Sequence, residues 1–318
     1  MSFDDFIKRL KALWAEPQVR RDLALAVLSL AGGFALAFYW TATPPAPPPA
    51  PSAPVVQYAP EVAPPPPVQA ETPPAAIEPE QTWQQNAVTP ANEPQAPMIA
   101  IVLDDMGVNR KGTERALKLP APITLSFLPY AQGVAGFVKT ARASGHEILV
   151  HVPMEPKGPA DPGPHALRVG QSADEIRANL IWDLGRFEGY VGVNNHMGSK
   201  FTADAEAMRP VMEELKTRGL IFLDSRTGPD TQAASTARAV GVPVLSRDVF
   251  LDNDDEGAKV EAQFSRLEKL ARKNGAAIAI GHPHTETLAI LEKWIPEAKA
   301  RGFTLVPLTA IMKRHQAS

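Results

Sequence analysis

The chain has 318 residues, 44% of them apolar, with a formal net charge of −3, 33 prolines and no cysteine. Proline at roughly twice its average share of about 5% cannot belong to one ordinary globular domain, and the lack of cysteine excludes a disulfide framework. From Met98 onward the chain carries 27 basic and 26 acidic side chains with no Lys/Arg run, which removes the basic footprint that nucleic-acid binding needs.

Residues 1–22 are polar and contain Lys8, Arg9, Lys11, Arg20 and Arg21. Leu23 to Trp40 then runs 18 residues without a charge and ends on Tyr39 and Trp40. At about 1.5 Å per residue such a helix nearly spans a hydrocarbon core of about 30 Å, and the basic residues before it hold the N-terminus in the cytoplasm. An apolar stretch this long, with no clean A-x-A site after it, predicts an uncleaved transmembrane signal anchor over 23–40. Eighteen of the prolines follow between Pro44 and Pro97, with five Glu and no Lys or Arg. Residues 41–97 therefore read as a disordered linker, partly polyproline II, with a reach on the order of 150 Å at about 3.1 Å per residue. This order places the protein in the inner membrane by a single pass, with residues 98–318 as a periplasmic domain.

In that domain short apolar runs alternate with amphipathic stretches. Strands are predicted at Ile99–Leu103, Ile123–Phe127, Glu147–His151, Tyr190–Val193, Ile221–Asp224, Val244–Ser246, Ala277–Gly281 and Thr304–Val306. Helices are predicted at Thr113–Leu119, Val134–Ala143, Ala173–Phe187, Ala203–Arg218, Thr231–Val240, Ala258–Lys273 and Thr285–Ala300. Ser172 and Glu175 form a capping box, and Gly145, Gly219, Gly241, Gly275 and Gly302 fall where helices should stop. Strand and helix alternate about seven times, which predicts an α/β fold with a mainly parallel sheet, and the count favours a barrel over an open sheet.

Chemistry-bearing residues gather at the C-terminal ends of these strands. Asp104-Asp105 follow the first, His151 and Glu155 the third, and Asn194-Asn195-His196 the fourth. Asp224-Ser225-Arg226-Thr227 end the fifth, Arg247-Asp248 the sixth, and His282-Pro283-His284 the seventh. That is the face on which such folds build their sites. Asp104-Asp105 alone could be a helix cap. With histidines from other strands on the same face, the pair offers mixed N/O ligands for a metal such as Zn²⁺ and a spare carboxylate for proton transfer.

Val102-Leu103-Asp104-Asp105-Met106-Gly107, Gly145-His146-Glu147-Ile148-Leu149-Val150-His151 and Ile280-Gly281-His282 resemble the first, second and last motifs of the polysaccharide deacetylases, the NodB-like carbohydrate esterases. The chain departs from that pattern with His151-Val-Pro-Met-Glu155 in place of H-x-x-x-H, and with Asn194-Asn195-His196-Met197-Gly198-Ser199 in place of an Arg-Pro segment. These departures, with Phe222-Leu223-Asp224-Ser225, are similar to the divergent polysaccharide deacetylase family over roughly Met98 to Met312. The resemblance implies a distorted (β/α)₇ barrel and metal-dependent hydrolysis of an acetyl group on an envelope glycan such as peptidoglycan. It implies Asp104 as general base and His282 as general acid. It also implies a divalent metal, Zn²⁺, held by Asp105 and His151 with a third ligand from His196 or Glu155. Asn195, Ser199, Asp224, Ser225, Thr227, Arg247, Asp248 and His284 would then shape the substrate groove or orient the ligands. The altered motifs keep open a second expectation, a catalytically silent barrel that binds glycan or serves as a scaffold in envelope assembly.

Overall fold

The computed structural model describes residues 82–90 and 97–317. The predicted anchor over 23–40 and most of the proline-rich stretch lie outside these residues; among the described residues no helix is long and apolar enough to cross a membrane.

The apolar runs form one sheet. Its strands are β1 (Met98–Met106), β2 (Thr124–Phe127), β3 (Glu147–Met154), β4 (Gly192–Met197), β5 (Ile221–Asp224), β6 (Val244–Ser246), β7 (Val249–Phe250), β8 (Ala276–Gly281) and β9 (Thr304–Leu305). The order is β6-β5-β4-β3-β2-β1-β8-β7, with β9 beside the first residues of β1. All pairings are parallel, as expected when strands are joined by helical crossovers rather than hairpins.

The helices are α1 (Thr82–Asn86), α2 (Arg110–Ala116), α3 (Val134–Ala143), α4 (Ala173–Leu184), α5 (Ala205–Thr217), α6 (Ala233–Val240), α7 (Gly257–Asn274), α8 (Thr285–Ala300) and α9 (Leu308–Ala317). Their ends follow local chemistry. Asn109 accepts from Gly112 N to start α2, earlier than its apolar pattern indicates. Ser172 and Glu175 close the predicted capping box on α4, and Gly241 and Gly275 end α6 and α7 in the left-handed region.

Strand alternation sorts side chains onto two buried faces. Ile99, Ile101 and Leu103 pack outward against the helices, whereas Ala100 and Val102 join Leu149, Leu223, Ile278 and Ile280 inside the curl of the sheet. Burial on both faces explains why the strands read as unbroken apolar runs.

Two features differ from the sequence expectation. The sheet curls but does not close: β6 and β7 are its unpaired edges. Arg247 and Asp248 bridge the gap, Arg247 N donating to Asp224 O at 3.1 Å and Asp248 N to Ile278 O at 2.9 Å. The parallel α/β fold is thus a curled open sheet rather than a hydrogen-bonded barrel. Strand β7, two residues long, was too short to leave a pattern.

The second difference is at the N-terminal strand ends. The stretch assigned to the linker up to residue 97 contains structure: α1 lies at this end, and Trp83, 2% exposed, packs into the inner cluster with Leu308, Ile311 and Met312 of α9. Trp83 N donates to Gly219 O, Asn86 Nδ2 to Tyr190 O, and Arg142 Nη1 to Asn86 O. Buried Glu147, at the start of β3, accepts from Thr309 N, Thr309 Oγ1 and Thr124 Oγ1. A carboxylate at the N-terminus of α9 satisfies amides that would otherwise lack partners.

Candidate metal centre

The same alternation builds the opposite end. Continuing inward from Ala100 and Val102 places Asp104 over the inner core; from Leu149, His151; from Leu223, Ser225; from Ile278 and Ile280, His282. On β4, Val193 faces the outer core, so Asn194 and His196 face in. Asp105 breaks the rule. By parity it belongs on the outer face, but its φ of 54° and a register shift in β1 between Leu103 and Met106 turn it to the inner side.

Asp105, His151 and His196 converge, with one ligand atom of each lying within 4.8 Å of the others. Asp105 Oδ1 is 2.8 Å from His196 Nδ1 and 3.3 Å from His151 Nε2. Asn194 sets the histidine tautomer. Its Nδ2 donates to Asp104 Oδ1 at 2.8 Å and to Ser225 Oγ at 3.1 Å, so its Oδ1 accepts from His151 Nδ1 at 2.8 Å. That leaves His151 Nε2 as the ring nitrogen facing the carboxylates of Asp104 and Asp105. Asp105 Oδ1 is buried and makes no well-formed hydrogen bond despite these short distances. Acceptors facing one another around a point are satisfied by a cation, and a His₂-carboxylate set suits a borderline divalent metal. The residues present therefore fit a metal.

Charges around the cluster are coupled. Burial pushes the Asp104 carboxyl up, opposed by His151 and His282. Burial also opposes ionisation of Asp105, but His151 and His196 outweigh it and hold the carboxyl far below its ordinary value. Asp104 and Asp105 raise His151 despite its burial. His282 Nε2 is 3.9 Å from Asp105 Oδ2, while its Nδ1 lies 2.9 Å from Asp252 Oδ1. Burial would lower His282; the hydrogen bond and charge of Asp252 instead raise it to about 9.

These groups line a cleft of about 460 Å³, together with Asn195, Ser199, Ser225, Thr227, Arg247, Arg226 and Phe250. Four residues expected at the site do not line it. Glu155 is drawn aside by Lys200 Nζ at 2.8 Å and Val169 N at 2.8 Å, so His196 and not Glu155 joins the ligand cluster. Asp224 lies behind the wall, accepting from Arg226 N and Thr231 Oγ1. Asp248 accepts from Ile278 N across the open seam. Exposed His284 is the N-cap residue of α8. It stands beside Asp252 and His282, with its ring 5.5 Å from that of His282.

Asp252 was missed. It sits in Leu251-Asp252-Asn253-Asp254-Asp255-Glu256, which reads as a solvated acidic loop, yet it is buried and accepts from His282 N, His282 Nδ1 and Thr287 Oγ1. No local signal separates it from its neighbours. The orienting role of Asn194 was missed too; an Asn flanked by a second Asn and a His looks like a ligand segment, and its bonds to Ser126 and Ser225 come from other strands.

Fold and site together define a parallel α/β protein with a candidate metal centre at its strand C-termini, flanked by a buried carboxylate and a carboxylate-paired histidine. The chain belongs to the divergent polysaccharide deacetylase family, whose sequence profile matches residues 101–312. It is 37% identical over 218 residues to the uncharacterized protein YibQ of Escherichia coli K12, covering 69% of this chain and 68% of that one. An uncharacterized protein of Haemophilus influenzae is 37% identical over 194 residues, covering 61% and 69%. The crystal structure of the uncharacterized protein ATU2773 from Agrobacterium tumefaciens superposes with a TM-score of 0.70 at 32% identity, covering 72% of this chain and 94% of that one.

Proposed function

We propose that the protein is a metal-dependent hydrolase that removes acetyl groups from an envelope carbohydrate such as peptidoglycan, held in the inner membrane by residues 23–40 with its folded part in the periplasm. The observation that carries this reading is the convergence of Asp105, His151 and His196 on a carboxylate oxygen without a hydrogen bond, with Asp104 and His282 beside it. Asp105, His151 and His196 would hold the metal, Zn²⁺ by the chemistry of the set. When bound, the ion supplies Lewis acidity, polarising the acetyl carbonyl and acidifying water.

The remaining steps belong to side chains. Asp104, kept basic by burial and aligned by two contacts from Asn194 Nδ2, accepts the proton of the attacking water. His282, protonated at neutral pH because Asp252 stabilises its cation, donates from Nε2 to the departing amine. Asn194 fixes His151 and Asp104 through one amide, so ligand and base move together.

The test is acetate release from acetylated glucosamine oligomers by the metal-loaded full chain. Asp104→Asn should lower the rate by about 10²- to 10⁴-fold, the usual contribution of a general base, while metal content stays near one ion per chain. Equal release by wild type and variant would remove Asp104 as base. One bound metal with no acetate released from any envelope glycan would favour the silent, glycan-binding barrel.

A further inference from the structure

One cleft residue is used by neither the metal cluster nor the proton path. Arg226 lines the cleft and is exposed, and among the described residues its guanidinium has no hydrogen bond or ion pair. Its backbone is nonetheless held tightly. Its φ is 50°, a conformation costly for a side chain with Cβ. Asp224 Oδ1 accepts from its N–H at 2.9 Å, and Arg247 Nη2 donates to its carbonyl at 2.9 Å. Arg247 Nε also donates to Ser225 O at 2.7 Å, and its guanidinium lies 4.8 Å from the Phe250 ring centre. Two buried or half-buried side chains thus stabilise a strained backbone whose product is one free guanidinium at the cleft wall.

The charge balance of the cleft points the same way. Asp104 and Asp105 are the carboxylates that line it, and a divalent cation at the cluster would offset both; Asp252 balances His282, and Asp224 behind the wall is one carboxylate against the two arginines of the cleft, Arg226 and Arg247. Arg247 spends two donors on carbonyls, so Arg226 is the open fork. A planar guanidinium matches the two oxygens of a carboxylate.

We infer that Arg226 selects an acidic glycan, binding a carboxylate on a sugar next to the one that occupies the metal centre. The inference rests on the glycan reading of the cleft and adds the substrate's charge and the residue that reads it. Asp224 and Arg247 are positioning residues for Arg226, acting through its backbone.

Calorimetric titration of the metal-loaded full chain tests this with three tetramers: a neutral N-acetylglucosamine oligomer, one in which alternate sugars carry a lactyl-ether carboxylate, and one alternating N-acetylglucosamine with a uronate. Wild type should bind one acidic tetramer about tenfold more tightly than the neutral one at low salt, and the ratio should shrink as ionic strength rises. Which acidic tetramer wins locates the carboxylate on the ether or on the ring. Arg226→Gln should bring the ratio close to one with metal content retained, and Arg226→Lys should restore only part of it, since an ammonium lacks the fork. Equal wild-type affinities, no binding of any tetramer, or an unchanged ratio in Arg226→Gln would overturn the inference. Affinity is read without acetate release, so a barrel that binds acidic glycan but hydrolyses nothing would refute the hydrolase and leave Arg226 in its role.

Discussion

The two ends of the curled sheet obey opposite rules. At the N-terminal strand ends, Trp83 and α9 complete an apolar plug, and the buried carboxylate there, Glu147, is surrounded by donors. At the C-terminal ends the interior column turns polar, and Asp105 Oδ1 is buried without a donor. Backbone strain sorts the same way. Among the described residues Asp105, His165, Met197 and Arg226 are the non-glycine residues with positive φ, and all but His165 line the cleft. Each such residue costs on the order of 1–3 kcal/mol. One end is filled by apolar packing; the other holds strained backbone and a cluster of side chains that could hold a metal ion.

The contrast predicts that damage at one end should leave the other intact. Trp83→Ala should lower folding stability by about 3–5 kcal/mol, the cost of removing a buried aromatic side chain, while metal affinity in the surviving folded protein stays unchanged. Removing residues 44–81 should leave the unfolding midpoint in place, whereas removal through residue 97 should lower it. An unaltered midpoint in the longer deletion would show that the plug contributes nothing.

Asp252→Asn probes the other end. His282 stands at about 9 because of Asp252, so the alkaline limb of acetate release should fall toward the ordinary imidazole value of about 6.5. At pH 8 an imidazole of pKa about 9 is about 90% protonated and one of about 6.5 about 3%, so the rate should drop about 30-fold, with unfolding midpoint and metal content near wild type. An alkaline limb that does not move would detach Asp252 from the acid.

The smallest effect, read over a single pH unit, is expected in α4. Asp183 is buried with both carboxylate oxygens unpartnered, and burial pushes it up to about 9. A carboxyl raised on folding holds its proton in the folded chain after the unfolded chain has lost it. Stability is therefore highest below the unfolded pKa of about 4 and falls as pH rises toward 9. The stability difference between wild type and Asp183→Asn should change by about 1.4 kcal/mol per pH unit within that window, the variant gaining as pH rises. Denaturant titrations at pH 6 and 7 would show it; parallel curves would mean that Asp183 finds a partner in solution.

Legibility in the sequence tracked the range of the interaction responsible. Helix ends at Ser172, Gly241 and Gly275 rest on contacts within a few residues and were readable. The gathering of Asp104, Asp105, His151, His196 and His282 on one face was readable too, because parallel strands deliver residues after their C-termini to one face. Glu155 was the alternative to His196, and its contacts with Lys200 and Val169 N draw it out of the cluster. Asp252 was hidden in an otherwise exposed acidic run, and what sets it apart is its contacts with Thr287 and His282. Trp83 was lost in proline-rich sequence because its partners, Leu308, Ile311 and Met312, lie more than two hundred residues away.

Apolar alternation and turn chemistry act within one or two elements, so residue order alone specifies a parallel α/β domain, the polar end of its sheet and the side chains that gather there. The open seam of the sheet, the gathering of His196 rather than Glu155 beside Asp105 and His151, and the pairing of Asp252 with His282 depend on distances between elements far apart in the chain. Such distances are set when the whole core packs, and a left-handed turn at Asp105 or a seam at Arg247-Asp248 is tolerated only because surrounding contacts offset its cost.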